Sequence, residues 1–142
     1  MQKSQLPKRK NIRLKDYSYK TNGYYFITLC NDKNKKLISK YKIFIQQTLL
    51  DIPNRFTGVY IDTYVLMSDH IHLIIILDNC QKNLGEIIRS FKAIITKNTE
   101  SNFWQRNYFE HIIRNDKALD GIREYIVNNP LAEELKFEDF YK

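Results

Sequence analysis

The sequence predicts an α+β domain: a ferredoxin-like antiparallel sheet of order β-α-β-β-α-β, followed by one additional C-terminal helix. Three observations carry this. Two strand-like runs, 58–67 and 70–77, are separated only by Ser68-Asp69, and a two-residue link makes them an antiparallel hairpin. Two stretches of helical apolar spacing, 38–52 and 84–98, lie one before and one after that hairpin. Segments rich in β-branched and aromatic residues, 24–30 and 109–114, bracket the whole arrangement.

Each element has its own local reason. Residues 1 to 20 hold many charges and little periodicity, which reads as a basic arm. Asn22-Gly23 signals a turn, and Tyr24-Tyr25-Phe26-Ile27-Thr28-Leu29-Cys30 follows as the first strand. Over 38–52, Tyr41, Phe44, Ile45, Thr48, Leu49 and Ile52 recur at steps of three and four, with Pro53 ending the pattern. Leu84, Ile87, Ile88, Phe91, Ile94 and Ile95 form the stripe of an amphipathic helix, with Arg89, Lys92 and Lys97 off it. A short run at 109–114 supplies a fourth strand. Asn115-Asp116 then caps a last helix whose face is Ala118, Leu119, Ile122 and Ile126 and which stops before Pro130.

The chain of 142 residues, 43% hydrophobic, suits one domain spanning 1–142 and is too short for two ordinary ones. A net charge of +7 favours a polyanionic partner, and ten tyrosines supply rings on which unpaired bases can stack. Cys30 and Cys80 lie far apart in apolar surroundings, which suits reduced thiols better than a disulfide framework or a zinc motif. No apolar stretch follows the basic N-terminus and none reaches the roughly 20 residues needed to cross a bilayer, so no membrane partner and a cytoplasmic location are expected.

Three features could carry chemistry. His70 and His72 are two apart on a strand, so both imidazoles leave the same face about 7 Å apart, which is metal-ligand spacing. A pair of satisfied histidines gives the same pattern, but burying two imidazoles beside Ile74 and Ile76 without partners is costly. Tyr125 and Asn129, four apart on the last helix, are neighbours on its surface, with Tyr125 on the flank of the apolar stripe. There the tyrosine either reaches a site or roofs the core. The segment 102–114 alternates aromatic, basic and amide residues, which suits either a base-stacking surface or a strand edge that packs Trp104 and Phe109 inward.

The strings YVLMSDHIHLIII, FWQRNYFEHIIRN and IREYIVNNP, in this order and at these separations, resemble the single-tyrosine transposases of the HUH superfamily, in the REP-associated tyrosine transposase branch. The likeness runs from Tyr24 to Pro130. It implies that His70 and His72 bind a divalent metal, Mg²⁺ or Mn²⁺, that Tyr125 is the nucleophile, and that the position four after it is a third ligand. Asn129 stands there, one methylene shorter than the glutamine of relatives outside this branch, and Ser68 replaces a proline common before the first histidine. The expected activity is that of a metal-dependent endonuclease and strand transferase. It would cut and rejoin single-stranded or hairpin-bearing DNA through a 5′-phosphotyrosine, as transposition and DNA recombination require. Arg89, Lys92, Trp104, Arg106, Tyr108 and Arg114 are the candidate DNA-binding residues. The alternative from another class is a non-catalytic or domesticated nucleic-acid-binding domain of the same fold. Relatives occur as homodimers and as monomers.

Overall fold

The computed structural model describes residues 22–128 together with Tyr141; the basic arm at 1–20 lies outside the described residues. Strand β1 (Gly23–Cys30) is followed by three short helical pieces, α1 (Leu37–Lys40), α2 (Lys42–Leu50) and α3 (Ile52–Arg55). The hairpin β2 (Val59–Leu66) and β3 (His70–Leu77) comes next, then α4 (Leu84–Asn98), β4 (Phe109–Ile113) and α5 (Asp116–Asn128). The strands form one sheet of order β2-β3-β1-β4 in which every pairing is antiparallel. This is the ferredoxin-like arrangement.

The expected single helix over 38–52 is broken twice. Tyr41 leaves the helical region at φ −112° and ψ 29°, which closes α1. Pro53 does not end the pattern, as its rigid ring suggested, but sits in the first turn of α3, where its missing N–H costs nothing. The other elements fall close to their expected bounds. At the start of α4 the Asn83 side chain accepts from the Glu86 N–H at 2.9 Å while Glu86 reaches back to the Asn83 N–H at 3.3 Å, a reciprocal cap. At the hairpin the Met67 N–H donates to the His70 carbonyl at 2.8 Å, leaving Ser68-Asp69 as the turn.

Strand pleating divides the core in two. Tyr25, Ile27 and Leu29 of β1 and Ile71, Leu73, Ile75 and Leu77 of β3 point to one face, where they pack with Ile38, Ile45, Leu49 and the Leu84, Ile87, Ile88, Phe91 and Ile95 stripe of α4. Tyr24 and Phe26 of β1 and Ile74 and Ile76 of β3 point to the other. That second face is covered by α5 through Ala118, Leu119, Ile122 and Ile126, all buried. The additional helix therefore closes the side of the sheet that the other helices leave open.

β2 carries a bulge between Ile61 and Thr63, with Asp62 as the extra residue. One inserted residue re-phases the pleat, so Ile61 stays with the first core while Thr63 pairs with Ile74 of the second face. Before β2, Gly58 has a φ of +86°, and a Cβ there would lie 2.5 Å from the Asp78 carbonyl oxygen, so glycine is needed. Among the described residues no helix is long and apolar enough to cross a membrane.

Candidate active site

His70 and His72 stand on the second face of β3, at the end nearest the hairpin turn. Their ring centroids are 4.7 Å apart, with the planes inclined by 70°. Each ring is held through Nδ1: that of His70 lies 2.7 Å from the Asp69 carboxylate, and that of His72 lies 2.9 Å from Thr28 Oγ1, its cross-strand neighbour on β1. The His72 ring also stacks on Phe26, with centroids 5.5 Å apart and 25° between planes. Burial, and secondarily the neighbouring His70, lower the His72 pKa to about 4, so this imidazole is neutral at physiological pH. A ring engaged through Nδ1 leaves Nε2, on its far side, as the atom open to a metal. The two rings thus fit a divalent cation as two of its ligands. Among the described residues no group of three or more His, Cys, Asp and Glu side chains is gathered for a metal. Asn129, the third ligand implied by the resemblance, lies outside the described residues.

The remaining candidate reaches this point from α5. Asn115 caps that helix by accepting from the Ala118 N–H at 2.8 Å, and the apolar stripe seats it on the sheet. Tyr125, on the flank of the stripe, brings its ring to 5.7 Å from that of His72, at 65° between planes. Partial burial raises the pKa of its phenol above the usual 10, so the group is protonated at neutral pH. Two residues earlier, Arg123 points to β2 and grips Asp62: Nε donates to Oδ2 at 2.8 Å and a terminal nitrogen donates to Oδ1. The Thr63 hydroxyl also donates to Oδ2, at 2.6 Å, and Asp62 is fully buried.

The expected DNA-binding residues divide. Arg89, Lys92, Arg106 and Tyr108 line one cavity of about 580 Å³ on the flank of α4, together with Lys97 and Thr96. Lys92 reaches the Gln105 carbonyl at 3.1 Å and lies over the rings of Trp104 and Tyr108, 5.9 and 5.8 Å from their centroids. Trp104 is partly buried against Phe91 and Phe103, with its Nε1 donating to the Lys92 carbonyl at 3.2 Å, so it supports this wall. Arg114 is elsewhere, its guanidinium 4.2 Å from the ring of Tyr141. Phe109, expected to point inward if the segment were a core edge, is instead 48% exposed. His111 does not join the other histidines; its Nε2 lies 2.7 Å from the Tyr141 hydroxyl.

Sequence reasoning did not single out Thr28, Asp69, Asp62 or Arg123. Asp62 left a signal, a lone acid inside the strand-like run 58–67. Thr28 left none, since its role depends on the register between β1 and β3.

Comparison with known proteins agrees with this architecture. The sequence model of the family described as "Transposase IS200 like" matches residues 18–129. An uncharacterized protein of Haemophilus influenzae (strain ATCC 51907 / DSM 11121 / KW20 / Rd) is 37% identical over 163 residues, covering 89% of this chain and 90% of that protein. Another protein of the same strain, provisionally named a REP-associated tyrosine transposase, is 28% identical over 127 residues, covering 76% of this chain and 69% of its own. The solved structure of a REP-associated tyrosine transposase bound to a REP hairpin shares the fold, with a TM-score of 0.72 at 23% identity over 82% of this chain and 71% of that one. On the match over residues 18–129 and the 37% identical relative, the chain belongs to the IS200-like transposase family.

Proposed function

We propose that this transposase cuts and rejoins single-stranded, hairpin-bearing DNA with Tyr125 as its nucleophile. The observation that carries the reading is the placement of Tyr125 beside His72, on the face that α5 covers. Tyr108, the other candidate, lines the cavity on the flank of α4 instead. In the cleavage step the Tyr125 oxygen bonds to the scissile phosphorus and the bond to the 3′ oxygen breaks. The phenol gives up its proton, the departing 3′ oxygen takes one up, and the protein is left esterified to the 5′ phosphate. Attack by a free 3′ hydroxyl reverses the step without an external energy source, because the ester keeps the energy of the broken bond.

His70 and His72 are the residues that would hold a divalent cation, Mg²⁺ or Mn²⁺, with Asn129 as the third ligand implied by the resemblance. When bound, the cation supplies positive charge against the phosphate oxygens. Asp69 and Thr28 fix the two imidazoles so that their ring orientation does not depend on the DNA. Arg89, Lys92 and Arg106 would take phosphates of the strand, and Tyr108 a base. The hairpin in the structure of the similar transposase supports a hairpin substrate here. One chain brings both His72 and Tyr125 to the site.

The test is incubation with a 5′-extended hairpin oligonucleotide and Mn²⁺, read as a covalent species on denaturing gels. A wild-type adduct mapping by mass spectrometry to the Tyr125 peptide supports the reading. Tight hairpin binding with no adduct under any divalent cation would favour the alternative of a non-catalytic DNA-binding domain.

A further inference from the structure

We propose that the buried pair Asp62 and Arg123 is a positioning device that sets the rotation of α5 and so holds Tyr125 over His72. The inference rests on the reading of Tyr125 as the nucleophile. Its starting point is a buried charge that the chemistry above does not use. Asp62 is fully buried on the face that also carries Ile74 and Ile76, and among the described residues its carboxylate accepts hydrogen bonds from Arg123 and from Thr63 beside it.

Burying such a pair is a weak way to gain stability, since the loss of hydration offsets most of the attraction. Its strength is directional. A guanidinium fork on a carboxylate fixes two parallel bonds in one plane, whereas apolar contacts tolerate sliding and rolling. The buried residues that seat α5 on the sheet, Ala118, Leu119, Ile122 and Ile126, are all aliphatic, with Tyr125 packed at their edge.

Helical geometry says what the fork controls. At about 100° per residue, Arg123 lies on one flank of that stripe and Tyr125 on the other. A roll of the helix that lifts Arg123 from Asp62 therefore displaces Tyr125 relative to His72 as well. The bulge completes the device. By shifting the register between Ile61 and Thr63 it brings Thr63 to the same face as Asp62, where the threonine hydroxyl donates to the carboxylate that Arg123 grips. Arg123 acts through Tyr125, which makes it a positioning residue.

The test compares wild type, Arg123→Lys, the neutral double variant Asp62→Asn with Arg123→Gln, and Ile122→Val as a control that weakens the seat of α5 and keeps the pair. Three quantities are read: hairpin affinity, the rate of adduct formation with Mn²⁺, and the nuclear Overhauser contact between the His72 and Tyr125 rings in metal-free protein. The double variant should bind hairpin within about twofold of wild type, lose the ring contact and form adduct about 100-fold more slowly, the scale expected for an ångström of misplacement. Arg123→Lys, which keeps the charge and loses the fork, should fall between. Ile122→Val should keep the contact and the rate despite a lower Tm. If the double variant does not fold, Arg123→Lys carries the same readouts. Wild-type contact and rate in the paired-site variants would overturn the proposal, as would an equal loss of rate in Ile122→Val. A wild-type protein that forms no adduct, yet loses the ring contact only when the pair is changed, would sink the nucleophile reading and leave the positioning role standing.

Discussion

The ring of Tyr125 lies edge-on to that of His72, 5.7 Å between centroids, although the two residues come from a helix and a strand that meet only across the second core. Its hydroxyl makes no hydrogen bond to any described residue. Tyr125→Phe should therefore fold and bind hairpin DNA as wild type does, with stability changed by less than about 1 kcal/mol. Adduct formation should vanish. Tyr108→Phe should keep most of it. Mass spectrometry of the covalent product decides: an adduct that persists in Tyr125→Phe places the nucleophile elsewhere.

Thr28 holds His72 from the neighbouring strand, a role that removing its hydroxyl abolishes while the β-branched shape stays. Thr28→Val should lower the affinity for Mn²⁺ by about 10- to 100-fold, the usual effect of losing a partner behind a metal ligand. Isothermal titration with MnCl₂ measures it directly. Affinity equal to wild type would mean that the threonine does not orient the ring.

Two histidines should make the metal-free protein acid-sensitive. Burial first, and a neighbouring positive or titrating group second, lower both His72 and His111 to about 4, below the unfolded value near 6.5. In that window the unfolded chain binds protons that the folded chain refuses. The stabilisation is thus present above about pH 6.5 and is lost as the pH falls towards 4. Urea midpoints measured from pH 7.5 to 4.5 should decline. His72→Gln should flatten part of the decline, and a midpoint constant across the range would contradict the burial of both rings.

The cavity on α4 predicts how binding responds to salt. Replacing Arg89 and Arg106 together with Ala should weaken hairpin binding and lower the slope of log affinity against log salt by about 2, one for each lost phosphate contact. Fluorescence anisotropy with matched hairpin and duplex oligonucleotides, each at several salt concentrations, gives both slopes. Wild type should prefer the hairpin with unpaired flanks. An unchanged slope in the double variant would move the strand off this cavity.

At Gly58 the backbone leaves no room for a side chain. Gly58→Ala combines a positive φ with a contact on the Asp78 carbonyl, and should cost about 1 to 3 kcal/mol. Thermal unfolding measures this. Adduct formation at low temperature should survive, because the residue lies at the end of β2 and β3 away from His70 and His72.

What the sequence made legible is what local periodicity encodes. The helix over 84–98 and the hairpin around Ser68-Asp69 appear as expected, because a 3.6-residue stripe and a two-residue link are complete within their own segments. The shared face of His70 and His72 follows equally from the two-residue repeat of a strand. What escaped is long-range. Thr28 meets His72 across 44 residues and Asp62 meets Arg123 across 61, pairings set by register and by a bulge that no local pattern announces. The covering of the second face by α5 also depends on packing: the stripe of Ala118, Leu119, Ile122 and Ile126 says that the helix is buried, without saying against which side.

The alternation along β1 makes that strand intolerant of a kind of change that substitutions do not probe. Tyr25, Ile27 and Leu29 feed one core, while Tyr24, Phe26 and Thr28 support the face with the histidines. Deleting a single codon between Tyr24 and Leu29 would send every residue on one side of the deletion through the sheet, trading threonine for leucine or isoleucine opposite His72 and driving a hydroxyl into the larger core. The exposed turn at Asn79 has no such parity to respect. A residue gained or lost there flips no strand, whereas the eight residues from Gly23 to Cys30 should pass through evolution without gain or loss.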